Sequence, residues 1–107
     1  MSSMDDDKIF SAEAIRDTNE HISAESYTGE FSAKTIFVEN GHDQSGAFQL
    51  QGAIDSVWVS VGSSFNIAAT TNDYRTVTDY FPKFRIAVTY ASAPTTGSLD
   101  LHILKTG

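Results

Sequence analysis

The sequence predicts an all-β protein: a single antiparallel β-sandwich of about seven to eight strands, with an N-terminal arm. Three observations predict it. Between Lys83 and Lys105, Phe84, Ile86, Val88 and Tyr90 alternate with Arg85, Ala87 and Thr89. After a loop at residues 91–97, Leu99, Leu101 and Ile103 alternate with Ser98, Asp100 and His102. Successive side chains of a strand point to opposite faces, so this reads as a hairpin of two half-buried strands sharing one apolar face. Second, further short strands recur upstream at intervals of roughly ten residues, with turn residues between them, which is the pattern of a sandwich or barrel. Third, the charge is uneven. Residues 1–30 hold eight acids and two bases, a net −6 of the chain's −7, so the acidity belongs to one end. The domain organisation expected is an acidic arm over 1–30 and a sandwich over 31–107.

A chain of 107 residues fits one domain. Its 40% apolar content, with 7 Phe, 4 Tyr and 1 Trp, suffices for a core without staples. With no cysteine, disulfides, thiolate metal sites and cysteine nucleophiles are excluded. No apolar run approaches the roughly 18 residues that span a membrane. The start, rich in Ser and Asp, lacks the basic flank and apolar segment of a signal peptide. A body of near-neutral charge and an acidic end argue against nucleic-acid binding, which needs a basic face.

Taken in order, Met1–Lys8 reads as a solvated leader or as a segment ordered only on a partner. Ser11–His21 has modest helix propensity, with Ser11 as a cap and Glu13 in the first turn. Either one short helix or an extended arm fits it. Ile9, Phe10, Ile15, Ile22 and Tyr27 are the residues able to anchor such an arm on an apolar surface. Lys34–Glu39, rich in β-branched and aromatic residues, is a strand. Asn40-Gly41 and Ser45-Gly46 bracket a polar loop. Ala47–Gln51 turns Phe48 and Leu50 inward; residues 52–56 form a connector. Val57–Val61 sets Val57, Val59 and Val61 on one face and Trp58 on the other, and Gly62-Ser63 suits a tight hairpin turn. Ser64–Thr70 turns Phe65, Ile67 and Ala69 inward. Residues 71–75 read as a polar loop and Thr76–Tyr80 as a strand stopped by Phe81-Pro82, because proline cannot donate to a ladder.

Chemistry-bearing patterns are sparse. His21, His42 and His102 are far apart, and no two share metal-ligand spacing. His42 beside Asp43 is the best metal candidate, and a polar loop explains the pair as well. Asp73 and Asp79 lack the oxygen-rich loop that calcium needs. There is no Gly-x-Ser-x-Gly elbow, no phosphate-cradling glycine loop and no identifiable carboxylate pair. The chain is therefore read as no enzyme, with no cofactor and no metal. Trp58 is a candidate stacking platform or interface anchor, and Tyr74 and Tyr80, with Phe81, cluster around one loop as candidate interface or ligand aromatics.

The succession KTIFVENG from Lys34, FQLQG from Phe48, VWVSVG from Val57, DYFPKFRIAV from Asp79 and PTTGSLDL from Pro94 resembles small β-sandwich modules of tailed phages and related viruses. Capsid decoration (cement), head-fibre and tail-associated proteins are built on such modules. The resemblance covers about residues 31–107 and rests on texture and strand order. It implies a jelly-roll-like sandwich, usually a homotrimer or homodimer, seated on major capsid protein or another virion protein and often attached through a terminal arm. It implies no catalytic residues. The expected function is thus a non-enzymatic structural protein on the capsid surface of a virion, made in the host cytoplasm, with no nucleic-acid or membrane partner. The alternative is a carbohydrate-binding module of a tail or surface adhesin, using Trp58, Tyr74 and Tyr80. A cupin-type enzyme is disfavoured by the unpaired histidines.

Overall fold

The computed structural model describes residues 4–29 and 31–107; residues 1–3, the beginning of the expected leader, and Glu30 lie outside the described residues. Ten strands follow one another: β1 (Met4–Glu13), β2 (His21–Ile22), β3 (Ser26–Tyr27), β4 (Ala33–Asn40), β5 (Gly46–Ile54), β6 (Val57–Ser60), β7 (Phe65–Ile67), β8 (Thr71–Val77), β9 (Lys83–Tyr90) and β10 (Leu99–Thr106). One sheet has the order β1-β10-β4-β8. The other has β2-β9-β5-β6, with β3 also on β9 and β7 also on β5. Every pairing is antiparallel. Taking β2 with β3, and β6 with β7, as interrupted halves of single strands leaves eight strands in two sheets of four. That is the jelly-roll order, and the sandwich expected from sequence is the fold observed.

Strand alternation builds the core. Phe84, Ile86 and Val88 of β9 and Leu99, Leu101 and Ile103 of β10 are buried, as their spacing predicts. They do not form a hairpin. β9 pairs with β5, β10 with β4 and β1, and their apolar faces belong to opposite sheets. The loop between them crosses from sheet to sheet. It is pinned where Gly97, at φ 84°, packs so close that a Cβ there would lie 1.9 Å from the Gly41 carbonyl oxygen, which only glycine allows.

Three local expectations are revised. Residues 52–56 are not a loose connector: β5 runs to Ile54 and a two-residue turn at Asp55-Ser56, with Asp55 at φ 60°, leads into β6. Gly62-Ser63 does not close a hairpin, because β6 and β7 both pair with β5. Residues 71–75 are strand, and the strand ends at Val77 instead of running to Tyr80. β8 is an edge strand whose core-side positions are only partly covered, so its pattern is polar on both faces and mimics a loop.

Among its described residues the N-terminal segment is extended, without a helix. β1 lies along β10 from Met4 opposite Thr106 to Glu13 opposite Leu99. Ile9, Phe10 and Ile15, expected as anchors on a partner, are instead buried in this chain's own core. Its acids find partners within the chain as well. Lys105, 3% exposed, lies 2.8 Å from Asp7 and 3.6 Å from Asp5; His102 is 3.0 Å from Asp6; Lys8 is 3.0 Å from Asp100. Cross-strand pairing with β10 brings each of these together.

Candidate interaction surface

Among the described residues no three His, Asp or Glu side chains gather in a way that could hold a metal ion. The His42–Asp43 pair divides its work. His42 is buried, its Nε2 accepts the Ile15 N–H at 3.1 Å, and its ring stacks on Tyr90 at 5.2 Å. Burial lowers its pKa, Arg16 lowers it further and Asp43 opposes the shift. Asp43 turns the other way. It accepts hydrogen bonds from the Thr95 hydroxyl, the Thr95 N–H and the Thr96 N–H, which hold its pKa at about 2. Both residues latch segments together: His42 holds the chain after β1, and Asp43 holds the loop before β10. Behind them Tyr90 donates to Asn40 Oδ1, and desolvation raises the Tyr90 pKa to about 12.

The outer face of the β1-β10-β4-β8 sheet carries a row of aromatic rings. Ile36 and Val38 of β4 face the core, so Phe37 faces outward. Register sets Phe37 between His102 on β10 and Tyr74 on β8. The Phe37 and His102 rings meet edge-on at 6.4 Å, and Tyr74 is 60% exposed. His102 is flanked by Asp6 at 3.0 Å and Glu39 at 3.4 Å, and Leu104 completes a shallow depression beside them. Phe37 was not singled out from sequence, and His102 was weighed only as an unpaired histidine facing outward. The parity of Lys34–Asn40 places Phe37 outward, but only tertiary pairing sets it in a row.

The other aromatics fall into different settings. Tyr80 is 67% exposed, with its hydroxyl donating to the Gly29 carbonyl. Phe81 packs under Gly52 and edge-on to Phe84, so the expected Tyr74–Tyr80–Phe81 group serves three separate contacts. Tyr27, 68% exposed, and Ile22 remain outward on β3 and β2. Trp58 is half-buried on the outer face of the second sheet, with the Arg85 guanidinium 4.1 Å and the Lys83 ammonium 5.5 Å from its ring centroid. Val57 and Val59 share the core-side face with Ile54 and Gly52 by register, yet Ile54, Val57 and Val59 are exposed. β6 is an edge strand, and no described residue shields these positions as a core would. Beside β8 the two sheets part around a cleft of about 330 Å³ lined by Ile36, Leu50, Val61, Phe65 and Val77, with Arg75 at its rim 4.7 Å above the Phe65 ring.

Solved structures share this architecture. The PBSX exported protein XepA matches at 12% identity over 98% of this chain and 36% of that one, with a TM-score of 0.68. The SPBc2 prophage-derived protein YomS matches at 11% identity over 100% of this chain and 96% of that one, with a TM-score of 0.64. The coat protein of Tobacco streak virus matches at 11% identity over 97% of this chain and 86% of that one, with a TM-score of 0.50. At the level of fold, the likeness to small virion β-sandwiches holds. This chain spans about a third of XepA and nearly all of YomS. No family model matches the chain, and no curated protein matches it in sequence.

Proposed function

We propose that this chain is a non-enzymatic structural protein of a virus particle, one that decorates or cements the capsid by bridging neighbouring major capsid protein subunits. The observation that carries the reading is the end-to-end fold likeness to YomS, a prophage-derived protein of nearly the same span, within a fold that a viral coat protein also uses. The surface supports it. The outward faces carry uncharged polar groups such as Gln49, Ser60, Asn66 and Thr89, and the exposed side chains Ile22, Tyr27, Tyr74 and Tyr80 are spread over several elements. Such a surface suits hydrogen-bonded contact with several neighbours. A copy that binds assembled shell and not loose subunits shifts the equilibrium toward the shell by mass action. A homodimer or homotrimer would bind with added avidity.

The test is to purify particles from an infected or induced host and measure the chain against the shell protein by mass spectrometry, then add purified protein to undecorated shells. Co-sedimentation at a fixed ratio, with shells that survive higher temperature, is expected. A chain absent from particles that also fails to bind shells overturns the reading. For the glycan-binding alternative, Arg85 already lies over the Trp58 ring, so a stacked sugar would have to displace it. A glycan array probed with the intact protein is expected to stay blank.

A further inference from the structure

Burial along β6 runs opposite to its register. Val57 and Val59 lie on the core side, paired with Ile54 and Gly52 of β5, yet they are 68% and 47% exposed, and Ile54 beside them is 62% exposed. Trp58, on the outer side, is half-buried. Edges that stay single are commonly blunted by charges or bulges. β1 has both, with register shifts after Lys8 and after Phe10 and the run Asp5-Asp6-Asp7-Lys8. β6 has neither: its register with β5 is unbroken, and from Ser56 to Asn72 the sequence holds no charged residue.

The ladder with β5 fixes which backbone groups of β6 are open. The Val61 N–H donates to the Leu50 carbonyl at 2.9 Å, which extends the register that sets Val59 opposite Gly52 and Val57 opposite Ile54. Hydrogen-bonded and non-hydrogen-bonded pairs alternate along antiparallel strands, so Val57, Val59 and Val61 bond to β5, and the N–H and C=O of Trp58 and Ser60 point away from it. No described strand pairs with that side. We propose that this edge receives the β6 of a second copy of the chain, antiparallel, about a twofold axis at Val59. That register joins Trp58 to the partner's Ser60 and Ser60 to the partner's Trp58, so every open group on both strands is bonded. Centring on Trp58 would set Ser60 against the turn residue Ser56, and centring on Ser60 would set Trp58 against Gly62, beyond the strand.

The side chains are palindromic in the same register. Val57, Val59 and Val61 stand opposite the partner's Val61, Val59 and Val57, so the exposed valines of the core side meet apolar partners across the axis. Charge points to the same occupant. Each copy carries a net −7, and two such chains meet with least repulsion along a segment free of charge. The joined sheet ends on the two-residue strands β2 and β3 at both sides, too short to template further pairing, which closes the assembly at two copies. The interface is independent of whether the chain sits on a capsid.

Substitution at the axis tests it with the full chain. Light scattering after size exclusion, over a range of concentrations, is expected to give twice the 11.6 kDa chain mass. Val59→Lys sets two ammonium groups against each other and is expected to weaken dimerisation about tenfold or more. Val59 is half exposed, so the wild-type circular dichroism is expected to persist. Cysteine placement reads the register, because the chain has no cysteine of its own. Residues opposite each other in a non-hydrogen-bonded pair have Cα atoms about 4.5 Å apart, within disulfide reach. Val59→Cys is therefore expected to give a disulfide-linked dimer on mild oxidation. Val57→Cys is expected to stay unlinked alone and to link when mixed with Val61→Cys. A wild-type monomer, a trimer, or a dimer that ignores Val59→Lys would overturn the proposal. So would Val59→Cys that fails to link, or Val57→Cys that links to itself as readily.

Discussion

At the scale of single residues, His42 and the two buried lysines carry the most consequence. His42 must stay neutral for Nε2 to accept the Ile15 N–H, and burial lowers its pKa below the ordinary 6.5. Above pH about 6.5 both folded and unfolded forms are neutral, and its contribution is fully present. Below that the unfolded chain binds the proton first, so stability falls as pH drops toward the folded pKa. Urea unfolding from pH 8 to pH 5 is expected to show this fall, reduced in His42→Gln. Lys34 and Lys105 stand opposite each other on β4 and β10 and differ in their partners. Lys105 satisfies Asp7 and the Tyr27 carbonyl, whereas Lys34 donates, among the described residues, to the Asp79 carbonyl and its pKa is lowered by burial. Burial by itself would raise the Asp7 pKa. Hydrogen bonds from Lys105 and Ser26 outweigh it and hold the carboxyl low. Lys105→Met strands that carboxylate and is expected to cost about 2–3 kcal/mol, an amount tempered by partial exposure of Asp7. Lys34→Met strands no charge and is expected to cost under about 1 kcal/mol. Denaturant titration of both variants checks the contrast.

At the scale of elements, β1 decides how the leader is understood. It carries Ile9 and Phe10 into the core and is the only described strand on that side of β10. Losing one buried aliphatic or aromatic side chain costs about 2–5 kcal/mol. Deleting residues 1–15 removes three, against a typical domain stability of about 5–15 kcal/mol. The truncated chain is expected to lose its cooperative unfolding transition and its near-ultraviolet circular dichroism, instead of remaining a folded sandwich without an arm. The sequence made β4, β5, β9 and β10 readable, because apolar residues recur there with period two. It made β1 unreadable. Asp5-Asp6-Asp7-Lys8 looks like a solvated run until Lys105 and His102 are brought beside it. β8 was half legible for the same reason: edge strands need no apolar face.

At the scale of the whole molecule, β1 pairs with β10, and β4 pairs with β8 and β10, both of which come more than thirty residues later in sequence. Among the described pairings, β5–β6 alone is closed by a tight turn. Loop closure must precede most of the pairing, so folding in milliseconds to seconds is expected, as for other sandwiches of high contact order. Stopped-flow fluorescence of Trp58, which lies under Arg85 in the native state, is the natural probe. A folding phase in microseconds would mean that local pairing governs the rate.

The sequence by itself determined the fold class, the inward faces of the central strands and the absence of cysteine chemistry. Those properties follow from alternation and composition, which are local and survive without knowledge of partners. The tertiary structure decided which strands pair, where the acidic segment goes and which aromatics become a row. Pairing between distant strands is set by the global packing of two faces, and a charged or polar edge strand announces itself only when its neighbour is in place. Ile9, Phe10 and Ile15, read from sequence as anchors on a partner, are instead buried in this chain's own sandwich. Tyr74, read from sequence as one of a cluster of interface or ligand aromatics around a loop, lies instead on strand β8 beside Phe37, a placement that came from the fold.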